Sequence, residues 1–126
     1  MHPFRTAIEA RDLDALTALF SDNVVFRSPI VFKPYQGRAA VGALLAAVSR
    51  VFEDFSYQRE IGAPDARDHV LVFQARVGDK QIEGCDCLHV DENGSIDELV
   101  VMVRPLSAAL ALADAMKAEL AAAQTG

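Results

Sequence analysis

Apolar side chains recur along this chain at two different spacings, and the change from one to the other divides it into elements. Residues 3 to 20 read as helix: Pro3 suits a first turn, and Phe4, Ile8, Leu16, Leu19 and Phe20 build an apolar face that is interrupted near Arg11-Asp12. Asp12 can cap a second helical segment through Leu13 to Leu16, because its carboxylate can accept from an otherwise unpaired backbone N–H. Ser21-Asp22-Asn23 then predicts a stop. Val24 to Ser28 is strand-like in its β-branched and aromatic content, and Pro29 closes it. Lys33 to Gly37 reads as loop, after which residues 38 to 53 return to helical spacing at Val41, Leu44, Leu45, Val48, Val51 and Phe52.

From there the period drops to two. Phe55 to Ile61 alternates as a half-buried strand, Gly62-Ala63-Pro64-Asp65 turns, and His69 to Val77 forms another strand with Leu71, Phe73, Ala75 and Val77 on one face. Gly78-Asp79 signals a hairpin. Residues 80 to 90 and 96 to 104 make a second hairpin, joined at Asp91-Glu92-Asn93-Gly94. Hairpin connections force antiparallel neighbours, so the order predicts an α+β domain with helices on one face of a curved sheet rather than a wound parallel sheet. Neither a linker nor a repeat divides the chain, and residues 1 to 126 are expected to form a single domain. After Pro105, residues 106 to 123 contain nine Ala and place Leu112, Met116 and Leu120 at i, i+4 and i+8. That predicts an Ala-rich C-terminal helix whose narrow stripe needs a surface, either across a partner or along the mouth of a pocket.

The strand at 80 to 90 carries the residue most open to a chemical reading. Ile82, Gly84, Asp86, Leu88 and Val90 share one face, and Gln81, Glu83, Cys85, Cys87 and His89 share the other. Asp86 is therefore a lone acid on an apolar face. If buried, its carboxyl would be pushed up and could donate a hydrogen bond or shuttle a proton near neutral pH. If the residue lies near a sheet edge, it is instead solvated or bridged to an Arg such as Arg76 or Arg104.

Composition sharpens what such a face is for. Hydrophobic residues make up 52% of the chain without counting Gly, above the roughly 45–50% of average soluble chains with Gly included. The surplus belongs in a partner interface, an apolar ligand cavity or the alanine tract. No apolar run approaches the ~18 residues that span a bilayer, and Met1 to Arg5 lacks the apolar core of a signal peptide, so a cytoplasmic protein and no membrane partner are expected. Eighteen acidic residues against 12 basic ones, a net charge of -6, argue against nucleic-acid binding. Cys85 and Cys87 point to one side of a strand and are too constrained for an ordinary disulfide, while His2, His69 and His89 show no ligand spacing. Buried reduced thiols and no metal or cofactor are the expectation.

Ala10-Arg11-Asp12-Leu13-Asp14-Ala15-Leu16 running on to Phe26, then Pro29, Gly37-Arg38-Ala39-Ala40-Val41 and the Asp91-to-Ile96 turn, resemble SnoaL-like proteins of the nuclear transport factor 2-like superfamily. The likeness spans residues 4 to about 104. It implies a cone-shaped, curved mixed or antiparallel sheet wrapped against N-terminal helices, a pocket inside, and dimerisation through the outer face of the sheet. The superfamily's activities include ketosteroid isomerases, polyketide cyclases, epoxide hydrolases, dehydratases and proteins without catalysis.

Aligned with the ketosteroid isomerases, Asp86 stands at the oxyanion-hole Asp, Phe4 at the oxyanion-hole Tyr and Ser28 at the Asp general base. Phe4 cannot donate a hydrogen bond and Ser28 cannot alone abstract a carbon-bound proton, so the standard ketosteroid isomerase mechanism is disfavoured. Gly84 stands where epoxide hydrolases would carry an Arg, and His89 points away from the face of Asp86. What remains is an apolar pocket holding one acid. With Asp86 inward, Val24, Phe26, Leu71, Phe73, Leu99, Val101 and Val103 share its side, met by Phe4, Leu45 and Val48 from the helices and by Ser28. The same side chains could meet as packed core. The expected function is binding of an apolar small molecule, with isomerase- or cyclase-type acid–base chemistry at Asp86; the alternative is a non-catalytic ligand-binding or interaction module. On the outer face Cys85, Cys87, His89, Glu98, Val100, Met102 and Arg104 suggest a homodimer interface.

Overall fold

The computed structural model describes residues 1–125, with side chains through Ala122. Two short helices, α1 (Pro3–Ala10) and α2 (Leu13–Ala18), precede β1 (Phe20–Arg27), the two-residue β2 (Tyr35–Gln36) and α3 (Arg38–Val51). The strands β3 (Glu53–Ile61), β4 (Asp68–Val77), β5 (Lys80–Val90) and β6 (Ile96–Arg104) follow, and α4 (Leu106–Thr125) ends the described chain.

The helical break falls where the sequence placed it. Arg11 adopts a left-handed conformation (φ 54°) that ends α1, and Asp12 caps α2 by accepting a hydrogen bond from Ala15 N at 3.0 Å. Pro3 occupies the first turn of α1, where its missing N–H costs no hydrogen bond.

The six strands form one mixed sheet in the order β2-β1-β6-β5-β4-β3. Strands β3 to β6 are an antiparallel meander, and β1 lies parallel to β6. This is the α+β architecture expected, with two local corrections. The helix ends at Ala18 rather than at Ser21-Asp22-Asn23: β1 already begins at Phe20, which pairs with Ile96, and the register shifts between Phe20 and Val25 so that the polar triplet is carried inside the strand. Tyr35-Gln36 is not loop but pairs with Phe26 and Val25.

Gly37 then turns the chain into α3 with φ 97°, a conformation costly for residues with a Cβ, and donates its N–H to Val24 O at 2.8 Å. Arg38 clasps the same junction through two hydrogen bonds to Phe20 O.

The main core joins Phe4, Leu16, Phe20, Val24, Val41, Leu71, Phe73, Leu88, Ile96 and Leu99 between the helices and the inner face of the sheet. A second cluster forms where Ala108 and Leu112 of α4 cover Ala75, Val77 and Ile82. The alanines of α4 allow it to approach the sheet closely, and the Arg50–Glu119 ion pair ties it to α3. Among the described residues, no helix is long and apolar enough to cross a membrane.

Candidate functional site: an apolar cavity around Asp86 and Tyr57

The burial pattern of β5 follows the alternation in its sequence: Ile82, Gly84, Asp86 and Leu88 are buried, while Glu83, Cys85, Cys87 and His89 are partly exposed. Asp86 therefore points inward, opposite Leu71 on β4 and Val101 on β6. It is 8% exposed. Neither expected arginine reaches it, because Arg76 pairs with Glu53 and Asp54, and Arg104 pairs with Glu83 on the outer face.

Its partner is Tyr57 of β3, whose hydroxyl donates to Asp86 Oδ2 at 2.8 Å. Asp86 Oδ1 makes no hydrogen bond within the described protein. Burial raises the Asp86 carboxyl from the ordinary 3.8 to about 7, and the Tyr57 hydrogen bond pulls against that rise by favouring the ionised form. Burial, followed by the neighbouring Asp86 charge, pushes the Tyr57 hydroxyl far above its usual range, so it stays a neutral donor. The pair thus holds one proton-accepting oxygen at a fixed place, half-titrated near neutral pH.

Gly84 makes room for this arrangement. A Cβ there would lie 2.6 Å from Phe73 Cζ and 2.6 Å from Met102 O. Tyr57 pairs with Phe73, which pairs with Gly84, so the ring of Phe73 lies over the glycine while Tyr57 reaches towards Asp86 two residues further along β5. Phe52, Phe55, Tyr57 and Phe73 pack together, with Phe55 stacked on Phe73 at 5.0 Å and edge-on to Tyr57 at 5.0 Å. Arg5 sits 5.6 Å from the Tyr57 ring centre.

These aromatics form one wall of a cavity of about 560 Å³, within the usual size of small-molecule sites. Of the residues expected to bind a ligand, Phe4, Phe26, Ser28, Leu45, Val48, Phe73 and Val101 line this cavity together with Asp86. Leu99 does not, which corrects the expectation for it: flanked in register by Phe26 and Leu88, it is fully buried in the packed core. Val24, Leu71 and Val103 likewise face inward without reaching the cavity. Strand register gives a side chain's face, whereas lining a void also requires that its neighbours leave space.

Ser28 sits at the rim with its hydroxyl committed to the loop, accepting from Ile30 N at 3.0 Å and Val31 N at 2.9 Å. His69 lies outside the cavity, buried against the His2 ring at 4.6 Å. Tyr57, Phe52, Phe55 and Tyr35 also line the cavity, and the sequence pattern does not single them out. Tyr35 comes from the unrecognised β2, and its hydroxyl has no hydrogen-bond partner within the described protein. The stripe of α4 supplies Leu112, Met116 and Leu120 to the cavity, as expected for a helix along a pocket mouth. No group of His, Cys, Asp or Glu among the described residues is arranged to hold a metal ion.

A mixed sheet closed over by N-terminal helices, with a cavity between them, is the architecture of the nuclear transport factor 2-like superfamily. Residues 2–99 match the SnoaL-like domain family, and the chain belongs to it. It is similar to a crystal structure of a steroid delta-isomerase from Pseudomonas aeruginosa, with 41% identity, a TM-score of 0.92, and coverage of 98% of this chain and 90% of that one. It is also similar to an uncharacterized bacterial protein with a cystatin-like fold from Silicibacter pomeroyi, with 34% identity, a TM-score of 0.86, and coverage of 92% and 81%. An NTF2-like protein of unknown function from Cytophaga hutchinsonii, at 18% identity and a TM-score of 0.61 over 82% of this chain and 85% of that one, shares the fold alone. No curated protein matches this chain.

Proposed function

We propose that the cavity binds an apolar carbonyl compound and that Asp86 moves a proton on it, in isomerase- or cyclase-type chemistry that needs no cofactor. The observation carrying this reading is the Tyr57–Asp86 pair at the wall of an apolar cavity, with Oδ1 unpartnered and the carboxyl raised to about 7. Such a value near working pH is what general acid–base catalysis favours. In its ionised form Asp86 takes a proton from the carbon next to the ligand carbonyl, and the resulting carboxylic acid returns that proton to another carbon of the same delocalised anion. Atoms and charge balance without a second reagent. The relation to a steroid delta-isomerase supports the direction of this reading.

Phe4 and Ser28 favour a second reading, a binding module without turnover. Phe4 offers no hydroxyl, and the Ser28 hydroxyl is held by its own loop. One experiment separates the two: thermal-shift screening against apolar ketones, followed by assay of each stabilising compound for conversion by wild type and Asp86→Asn. Conversion by wild type alone supports the catalytic reading. Stabilisation without conversion leaves the binding module, and no stabilising compound overturns both.

We also propose that the chain forms a homodimer through the outer face of the sheet. Met102, 58% exposed, and Val100 form an apolar centre beside Cys85 and Cys87, and the Arg27–Glu98 (3.1 Å) and Arg104–Glu83 (3.2 Å) pairs edge it. Sedimentation should show a dimer that Met102→Asp dissociates; a wild-type monomer overturns this part. Two free thiols suit a reducing compartment, and a cytoplasmic setting completes the reading.

A further inference from the structure

Asp86 lies in the depth of the cavity, and the residues at its open side differ from the lining in one respect. Leu13, Ile30 and Val31 line the cavity while 39%, 41% and 44% exposed, so the opening has an apolar collar. Set into that collar are two exposed cations, Arg11 from the α1–α2 corner and Lys117 from α4, the only basic residues among the described lining. Neither has an ion-pair partner among the described residues, a state they share with Lys33, Arg59, Arg67 and Lys80, but of these six only Arg11 and Lys117 line the cavity. Asp114 also lines the opening, so the mouth as a whole carries one net positive charge on a chain whose total is -6.

The backbone at Arg11 adds an independent observation. Residue 11 follows the last turn of α1 with φ 54°, a position where helices usually place Gly because other residues meet steric strain. An Arg stands there instead. The strained position sends a long cation to the cavity opening, and strain kept at such a place points to function.

We infer that the ligand is an amphiphilic carboxylate: an apolar body in the cavity, the carbon next to its carbonyl at Asp86, and a carboxylate held at the mouth by Arg11 and Lys117. This rests on the proposed small-molecule site and names its ligand class. The guanidinium of Arg11 matches a planar carboxylate through paired N–H donors, and the Lys117 ammonium adds a point charge from the facing helix.

The test compares two probes with the same C12 chain, dodecanoate and its neutral methyl ester methyl dodecanoate, by calorimetric titration below their aggregation limits at about pH 8. Wild type should bind the carboxylate about five- to tenfold more tightly than the ester, the size expected of two solvent-exposed charge contacts. The double variant Arg11→Gly/Lys117→Ala should bind the two probes alike. Both substitutions suit their sites, Gly by relieving the left-handed strain and Ala by its helix propensity, so a thermal melt no lower than wild type checks that the fold is intact. Equal wild-type affinities, or a carboxylate preference that survives in the double variant, overturn the inference while leaving the cavity reading in place. Binding of neither probe overturns both.

Discussion

Replacing Asp86 with Asn keeps the shape and leaves an oxygen to accept from Tyr57, but removes the titration. In the wild type the buried carboxyl holds its proton up to about pH 7, against 3.8 in an unperturbed chain. The native state therefore binds this proton more tightly than the unfolded state does. The group's contribution to stability is full below about pH 4, declines as pH rises towards 7, and is flat and lost above it. At about 1.4 kcal/mol per pH unit the total is about 4 kcal/mol, a large share of the 5–15 kcal/mol typical of a domain. Working away from the isoelectric region, between about pH 5.5 and 8.5, about 2 kcal/mol of that change remains. Urea unfolding of both proteins at the two pH values isolates it, since all other titrating groups are shared. Asp86→Asn should gain on wild type by about 2 kcal/mol at the higher pH, moving the midpoint difference by about 1 M urea. A difference between the two proteins that does not change with pH would refute the burial argument, because an ordinary carboxyl is fully ionised across that range.

Four further outcomes follow from the same geometry. Tyr57→Phe removes the donor that favours the ionised carboxylate, so the Asp86 titration should move to higher pH, with about 1–2 kcal/mol lost in denaturant melts. Gly84→Ala drives a methyl group into Phe73 and the Met102 carbonyl and should cost at least about 1–3 kcal/mol, with altered aromatic signals in near-UV circular dichroism. Leu99→Ala should cost about 2–5 kcal/mol by cavity formation yet leave affinity for a cavity ligand unchanged, whereas Leu45→Ala changes both. Truncation after Pro105 uncovers Ala75, Val77 and Ile82 and removes Leu112, Met116 and Leu120 from the cavity, so both the melting temperature and ligand affinity should fall.

Asp86 was legible because its strand is bounded by two hairpins. Gly78-Asp79 sets the β4–β5 register and Asp91 to Gly94 delimits β6, so the alternation along β5 had one consistent reading. Tyr57 was not legible as its partner. The stretch from 62 to 67 is too long to fix how β3 meets β4, and the register shifts between Tyr57 and Arg59, so no count along the chain places the phenol beside Asp86. A weak signal did exist in the inward alternation of Phe55 and Tyr57 with a side-chain-free Gly84 two residues before Asp86.

Leu99 shows the complementary limit. Its face follows from the period of two, but its distance from the void depends on how Phe26 and Leu88 fill the space around it. The start of β1 was hidden because Ser21-Asp22-Asn23 has the composition of a turn, and only pairing of Phe20 with the distant Ile96 overrides it. The helical break at Arg11-Asp12, by contrast, is local chemistry, and local chemistry survives in the sequence.

The proposed chemistry needs a carboxyl at the cavity wall that changes charge near neutral pH. Carbon NMR of the Asp86 carboxyl, assigned by comparison with Asp86→Asn and followed from about pH 5.5 to 8.5, measures that directly. A midpoint near 7, displaced when an apolar ketone fills the cavity, is the predicted result. A carboxyl already fully ionised at the lower limit and indifferent to the ketone would contradict the account.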